Sequence, residues 1–162
     1  MITLEDQDRS RWDRDQISEG TRLVERALKT GELGSYQLQA SIAAVHSEAK
    51  VAYETDWRQI ALLYRELLDL NPSPVVALNH AVAVAMAKEI EVGLGLIDEI
   101  GRDGVLDEFY LFHSSRADLL RRLDRRDEAA SAYTRALSLT TNSVERNYLQ
   151  ERLNDILRSN GH

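Results

Sequence analysis

Four histidines are the side chains of this sequence best suited to general-base chemistry or metal binding, because imidazole has a pKa of about 6.5 and is a common metal ligand. They are His46, His80, His113 and His162. None has a second ligand residue at a spacing such as HxxxH, and the chain contains no HExxH, no GxSxG and no glycine-rich phosphate loop. A metal or general-base role for these histidines is the alternative to half-buried structural positions. We predict structural histidines in a chain that is not an enzyme and has no catalytic residue, metal or cofactor.

Arginines concentrate in one stretch of an acidic chain, whose formal net charge is −7. This arginine set comprises Arg116, Arg121, Arg122, Arg125, Arg126 and Arg135. Since charge complementarity selects partners, one interpretation of the set is a docking surface for an acidic protein. The alternative is a solvent-exposed helix face whose bases pair with nearby acids.

A second candidate binding feature is an apolar face at the three- and four-residue spacing of a helix. It consists of Val75, Leu78, Val82 and Met86. This apolar face either holds an apolar peptide or helix of a partner, or belongs to the ordinary core.

Composition limits the class of protein. The chain has 162 residues, 43% of them hydrophobic, and only two prolines, which is typical of one compact helical domain. The net charge argues against binding nucleic acid through phosphates. The absence of cysteine excludes disulfides and thiolate chemistry. There is no apolar run of membrane-spanning length and no signal peptide pattern, so we expect a cytoplasmic location with no membrane partner.

The elements that position these residues are predicted by a motif in the stretch 111–139. Two apolar stripes at helical spacing are separated by a charged break at 124–127. Ala117, Ala129 and Ala136 are small where helices would cross closely, and Tyr133 is large where it would fill the adjacent space. This order of small, small, aromatic and small is typical of the tetratricopeptide repeat, which has a period of about 34 residues.

The motif recurs 36 residues upstream, with two small and two apolar residues at the corresponding places: Ala81, Gly93, Ile97 and Ile100. A third, partial copy comprises Tyr64, Leu67, Leu70 and Pro72. We therefore predict an all-α fold, a tetratricopeptide-like right-handed superhelix of antiparallel hairpins with about eight helices, forming a single domain over 1–162.

Capping signals give the approximate bounds of these helices: 10–29, 36–51, 57–70, 74–88, 91–100, two helices within 111–139, and 142–157. Thr55 or Asp56 is the expected cap of the third helix. Pro74 stands at the first position of the fourth, where a missing N–H costs nothing. Asn142 and Glu145 have the spacing of a capping box at the last helix.

Five strings carry a more specific resemblance. They are LEDQDRSRWD (4–13), YQLQASIAAVHSEA (36–49), DWRQIALLYRELL (56–68), PSPVVALNHAVAVA (72–85) and HSSRADLLRRLDRRDEAASAYTRAL (113–137). In this order they resemble the C-terminal extension of a group of bacterial extracytoplasmic-function (ECF) RNA polymerase sigma factors, which carry a tetratricopeptide-like domain after their promoter-recognition domains. The similarity covers nearly all of residues 4–157.

The resemblance implies a C-terminal fragment without promoter-recognition domains and a regulatory or protein-binding role in transcription. The partners it implies are the promoter-recognition domains of the same full-length chain, the RNA polymerase core and a small YCII-like protein. The alternative is a free-standing helical-repeat adaptor unrelated to transcription.

Overall fold

The computed structural model of the protein describes residues 12–15, 17–18, 22, 34–49 and 54–159, and within these ranges the fold is all-α with no strand. It contains seven α-helices there: α1 (Ser35–Glu48), α2 (Trp57–Leu70), α3 (Pro74–Met86), α4 (Ile90–Ile100), α5 (Tyr110–Arg122), α6 (Arg126–Leu139) and α7 (Ser143–Ser159). A 3-10 turn, Gly101–Asp103, follows α4. The all-α prediction is confirmed. Most of the first predicted helix, 10–29, lies outside the described residues.

Spatial contacts between residues divide the protein into two compact units, residues 2–83 and residues 84–162, and the boundary lies inside α3. That the two units act as one domain stays a prediction.

The unit 2–83 is built on a cluster of buried aliphatic side chains from three helices: Leu38, Ile42, Val45, Ile60, Leu67 and Ala83. Local signals set the helix ends. Asp56 Oδ1 accepts a 3.0 Å hydrogen bond from the backbone N of Gln59, so Asp56 is the cap of α2. The backbone carbonyl of Ser73 accepts from Ala77, and α3 begins at Pro74 as predicted.

The partial third copy of the motif departs from the repeat. Leu67 is buried, but Leu70 is 53% exposed. Leu70 is the last residue of α2, and the chain leaves the helix at Asn71. Leu70 therefore has the apolar side chain that the motif requires, but this side chain is not buried.

In the unit 84–162, the 36-residue repeat is visible in the backbone. Lys88 ends the turn after α3 with φ 77°, and Asp124 ends the turn after α5 with φ 57°. The backbone N of Lys88 donates to Ala85 O, and that of Asp124 donates to Arg121 O. The turn after α3 and the turn after α5 thus each contain one left-handed residue at the same place of the repeat.

The side chains at the motif positions are buried as close packing requires. Ala117, Ala129, Tyr133 and Ala136 each have 0% exposure, and Ile97 in the upstream copy has the same value. Since α5 and α6 are joined by only three residues, they form an antiparallel hairpin whose backbones approach over these small side chains.

The connection from α4 to α5 depends on two glycines. A Cβ at Gly101 would lie 2.6 Å from Cζ of Phe112, and Gly104 has φ 69°. The backbone carbonyl of Asp107 then contacts Nε2 of His113 at 2.8 Å. These contacts fix the chain before α5.

The capping box predicted for the last helix is half correct. Asn142 Oδ1 accepts from the backbone N of Val144 and Glu145, at 3.0 and 3.3 Å. The Glu145 side chain does not return a bond to Asn142. Its two oxygens accept from Tyr110 Oη at 2.6 Å and Thr140 Oγ1 at 2.8 Å. The Glu145 carboxylate therefore binds the phenol of Tyr110 on α5 and the hydroxyl of Thr140 in place of the helix cap.

Candidate protein-interaction surface

Members of the arginine set lie within ion-pair distance of carboxylates of their own unit: Arg116, Arg121, Arg125, Arg126 and Arg135. Nε and Nη2 of Arg125 donate to the two oxygens of Glu128, both at 2.7 Å, in a bidentate pair. Nε of Arg126 donates to Asp124 at 2.6 Å. The bonds from Arg125 hold the pKa of the Glu128 carboxyl below its ordinary value. A docking partner would have to compete with these pairs.

Two further members of the set hold distant parts of the chain. Nε of Arg116 lies 2.7 Å from Oδ1 of Asp98 and joins α5 to α4. Nη2 of Arg135 donates to Glu108 at 2.7 Å and to the carbonyl of Asp107 at 3.2 Å. These arginines therefore tie together elements that are far apart in sequence.

Arg121 belongs to a polar network inside the unit. The hydroxyl of the buried Tyr133 donates to Oδ1 of Asp118, and Nη2 of Arg121 lies 3.6 Å from the same oxygen. Burial and the Asp118 carboxylate raise the pKa of Tyr133 far above its ordinary value. On α7, the guanidinium of Arg152 lies over the Tyr148 ring, 5.1 Å from its centroid. Arg121 thus helps to hold the fold and is not a purely exposed charge.

The four residues of the apolar face have different surroundings. Leu78 is 2% exposed and Val75 is 43% exposed. Val82 and Met86 are half-buried, and Met86 Sδ accepts a 3.3 Å contact from Nη1 of Arg122. Leu78 therefore serves the core. Partner binding by the other three residues, like docking on the arginine set, stays a prediction.

Three of the four histidines, His46, His80 and His113, lie within the described residues, and each is half-buried. The His46 ring packs edge-on against Trp57, with centroids 5.1 Å apart. Burial, together with the charge of Arg65, lowers the pKa of His80. His113 contacts the Asp107 carbonyl, and His162 lies outside the described residues. Among the residues placed in the structure, no three metal-ligand side chains come together.

The structure adds a feature that the sequence did not predict, an open cleft of about 370 Å³ beside α4, here named the α4 cleft. Its lining consists of Glu91, Leu94, Gly95, Asp98, Leu123 and Arg125. The volume is at the low end of the range of about 300–1,000 Å³ that is usual for ligand sites. Four lining residues come from one face of α4 and two from the turn between α5 and α6.

Of the lining residues, only Arg125 was a predicted site residue. The spacing of Glu91, Leu94, Gly95 and Asp98 was a detectable signal, because positions three, four and seven apart share one helix face. A glycine between two acids on such a face is unusual in a helix interior. What the sequence did not show is that the α5–α6 turn lies opposite.

No helix in the described ranges is long and apolar enough to cross a membrane.

The chain is similar to an uncharacterized protein of Rhizobium meliloti (strain 1021), with 40% identity over 156 residues. The matched segment covers 96% of this chain but 36% of the relative, so the chain spans about a third of the relative's length. No family model matches the sequence. No solved structure matches it.

Proposed function

We propose that this chain is a regulatory, protein-interaction domain of an ECF-type RNA polymerase sigma factor, which acts in transcription initiation and is itself neither catalytic nor DNA-reading. The observation that carries the proposal is the ordered resemblance of the five strings to the C-terminal extension of such factors. The strings 56–68 and 72–85 correspond closely to α2 and α3, and the string 113–137 to the α5–α6 hairpin. The resemblance therefore follows whole structural elements.

The length of the relative supports a role within a larger protein. Nearly two thirds of the Rhizobium meliloti protein lies outside the matched segment. We infer that the matched segment acts together with the remaining part of that longer chain.

Charge suggests how the domain would act. Domains that read promoters are basic where they meet phosphates. A domain with net charge −7 is attracted to such surfaces and repelled by DNA. The proposed role is to contact the promoter-recognition domains of the full-length chain, or the polymerase core, and so to change promoter use. A small YCII-like protein is a further candidate partner.

The test uses the longer relative, purified with RNA polymerase core, in a transcription assay on its own promoter. Removing the segment that matches this chain should change the transcript yield, and adding salt should weaken the effect of the segment. If the intact relative supports no promoter-dependent transcription with the core enzyme, the sigma-factor assignment fails. The alternative function, a free-standing helical-repeat adaptor unrelated to transcription, is then preferred.

The isolated chain provides a second test. Labelled duplex DNA of that promoter, titrated at low salt where charge effects are strongest, should show no sequence-dependent binding. Saturable, sequence-dependent binding would contradict a domain that does not read DNA.

A further inference from the structure

Gly95 lies in the interior of α4 at a position where the fold does not require glycine. A Cβ at this position would meet no atom within 4 Å, whereas at Gly101 it would collide with Phe112. Glycine in a helix interior is less stable than alanine. Packing accounts for Gly101, whereas at Gly95 no neighbouring atom excludes a side chain, and the absence of one leaves the α4 cleft open.

Among the charged side chains that line the α4 cleft, one carboxylate has no ion-pair partner among the described residues. Asp98 is paired with Arg116 at 2.7 Å, and Arg125 is paired with Glu128. Glu91 lines the cleft one turn before Gly95 and makes no ion pair or side-chain hydrogen bond with any residue that the structure places. The cleft therefore offers an exposed carboxylate beside an open space.

The walls between these charges are apolar. Leu94 is buried in the middle of α4, and Leu123 is half-buried in the turn between α5 and α6. A long basic side chain matches this arrangement, because its methylene stem packs on apolar surface while its charged head reaches a carboxylate. The acidic balance of the whole chain acts in the same direction.

We propose that the α4 cleft binds a basic peptide segment of a partner protein, with one arginine or lysine side chain lying over Gly95 and its charge at Glu91. This rests on the proposed protein-interaction function and names the chemistry of the partner. The site shares Arg125 with the arginine set, but it selects a cation, whereas the arginine set would select an acidic partner.

The test is a nuclear magnetic resonance titration of the ¹⁵N-labelled 162-residue chain with an end-blocked alanine–arginine–alanine tripeptide at millimolar concentration. Saturable shifts are expected at the backbone amides of Leu94, Gly95 and Leu123. An alanine–glutamine–alanine peptide of the same length should produce none there.

Three variants make the assignment specific. Gly95→Leu fills the cleft and should abolish the shifts while circular dichroism stays unchanged. Glu91→Gln should weaken binding about two- to fivefold, as expected for an exposed ion pair. Glu99→Gln makes the same charge change on α4 at a residue that does not line the cleft, and it should leave binding unchanged. If Gly95→Leu does not fold, Gly95→Ala replaces it and should weaken binding.

Equal shifts with the glutamine peptide, shifts that persist in Gly95→Leu, or no saturable shift at the three amides would each overturn the proposal. The outcome is separable from that of the transcription assay. A chain that binds the arginine peptide keeps its basic-peptide site even if the sigma-factor role fails. A domain that changes transcription without binding the peptide contacts its partner elsewhere.

Discussion

The phenol of Tyr110 at the start of α5 donates a 2.6 Å hydrogen bond to Oε1 of Glu145 in the first turn of α7. The two residues are 35 positions apart, and the same carboxylate also accepts from Thr140. Burial, with the bond to Glu145, raises the pKa of Tyr110 to about 12. This contact links the two ends of the α5–α7 region.

A pH dependence follows from this contact. The folded protein keeps the Tyr110 proton at pH values where the unfolded chain, with the ordinary value of 10.0, has lost it. The resulting stability is complete below pH 10 and is lost as the pH rises from 10 to about 12. Tyr110→Phe should lower the free energy of unfolding by about 1 kcal/mol at neutral pH and flatten its fall above pH 10. Urea unfolding at a series of pH values measures both, and an unchanged alkaline slope would contradict the assignment.

The left-handed turns give a second prediction. Lys88 has φ 77°, in the left-handed region, where the backbone of any residue that carries a Cβ is strained. Lys88→Gly should therefore raise the free energy of unfolding by up to about 1 kcal/mol. Asp124→Gly, at the matching turn with φ 57°, should gain less, because aspartate tolerates this conformation better. Urea midpoints of the two variants decide it, and a clear loss in Lys88→Gly would show that the lysine is not strained.

Close crossing of α5 and α6 gives a third prediction. Ala117 and Ala129 have 0% exposure, so Ala117→Leu and Ala129→Leu should each cost about 1–3 kcal/mol through overpacking. The control is Ala40→Leu on α1, where the alanine is exposed and the same change should have little effect. Melting temperatures that match between the buried and the exposed variants would contradict the hairpin packing.

The arginine set gives a fourth prediction. Arg121→Gln disturbs the network of Tyr133 and Asp118 and should cost about 1 kcal/mol or more. Arg126→Gln removes a pair with the largely exposed Asp124 carboxylate and should cost less than Arg121→Gln. Thermal unfolding of the two variants at low and high salt separates them. Equal losses would mean that burial does not distinguish these arginines.

Sequence predicted the parts of the fold that depend on neighbours in the chain. The start of α2 at Trp57 and of α3 at Pro74 follow from an aspartate cap and a proline, both local signals. The burial of Tyr133 follows from the repeat. These features are fixed within one or two helical turns.

Contacts between distant residues were not predictable in the same way. Glu145 has the spacing of a capping box, yet its partner is a phenol 35 residues away. Arg116 and Arg135 find their carboxylates 18 and 27 residues away, which no helix-spacing rule reveals. The α4 cleft was not predictable for the same reason, since the open space over Gly95 depends on where the α5–α6 turn lies.

The paired left-handed residues Lys88 and Asp124 have a consequence for how such a chain can change length. Because the left-handed turn residue, its turn hydrogen bond and two small side chains recur together after 36 residues, gain or loss of a block of that size preserves these positions. A block of another length would place bulky side chains where helices cross. Growth by duplication of whole hairpins is therefore the change of length that this architecture tolerates best.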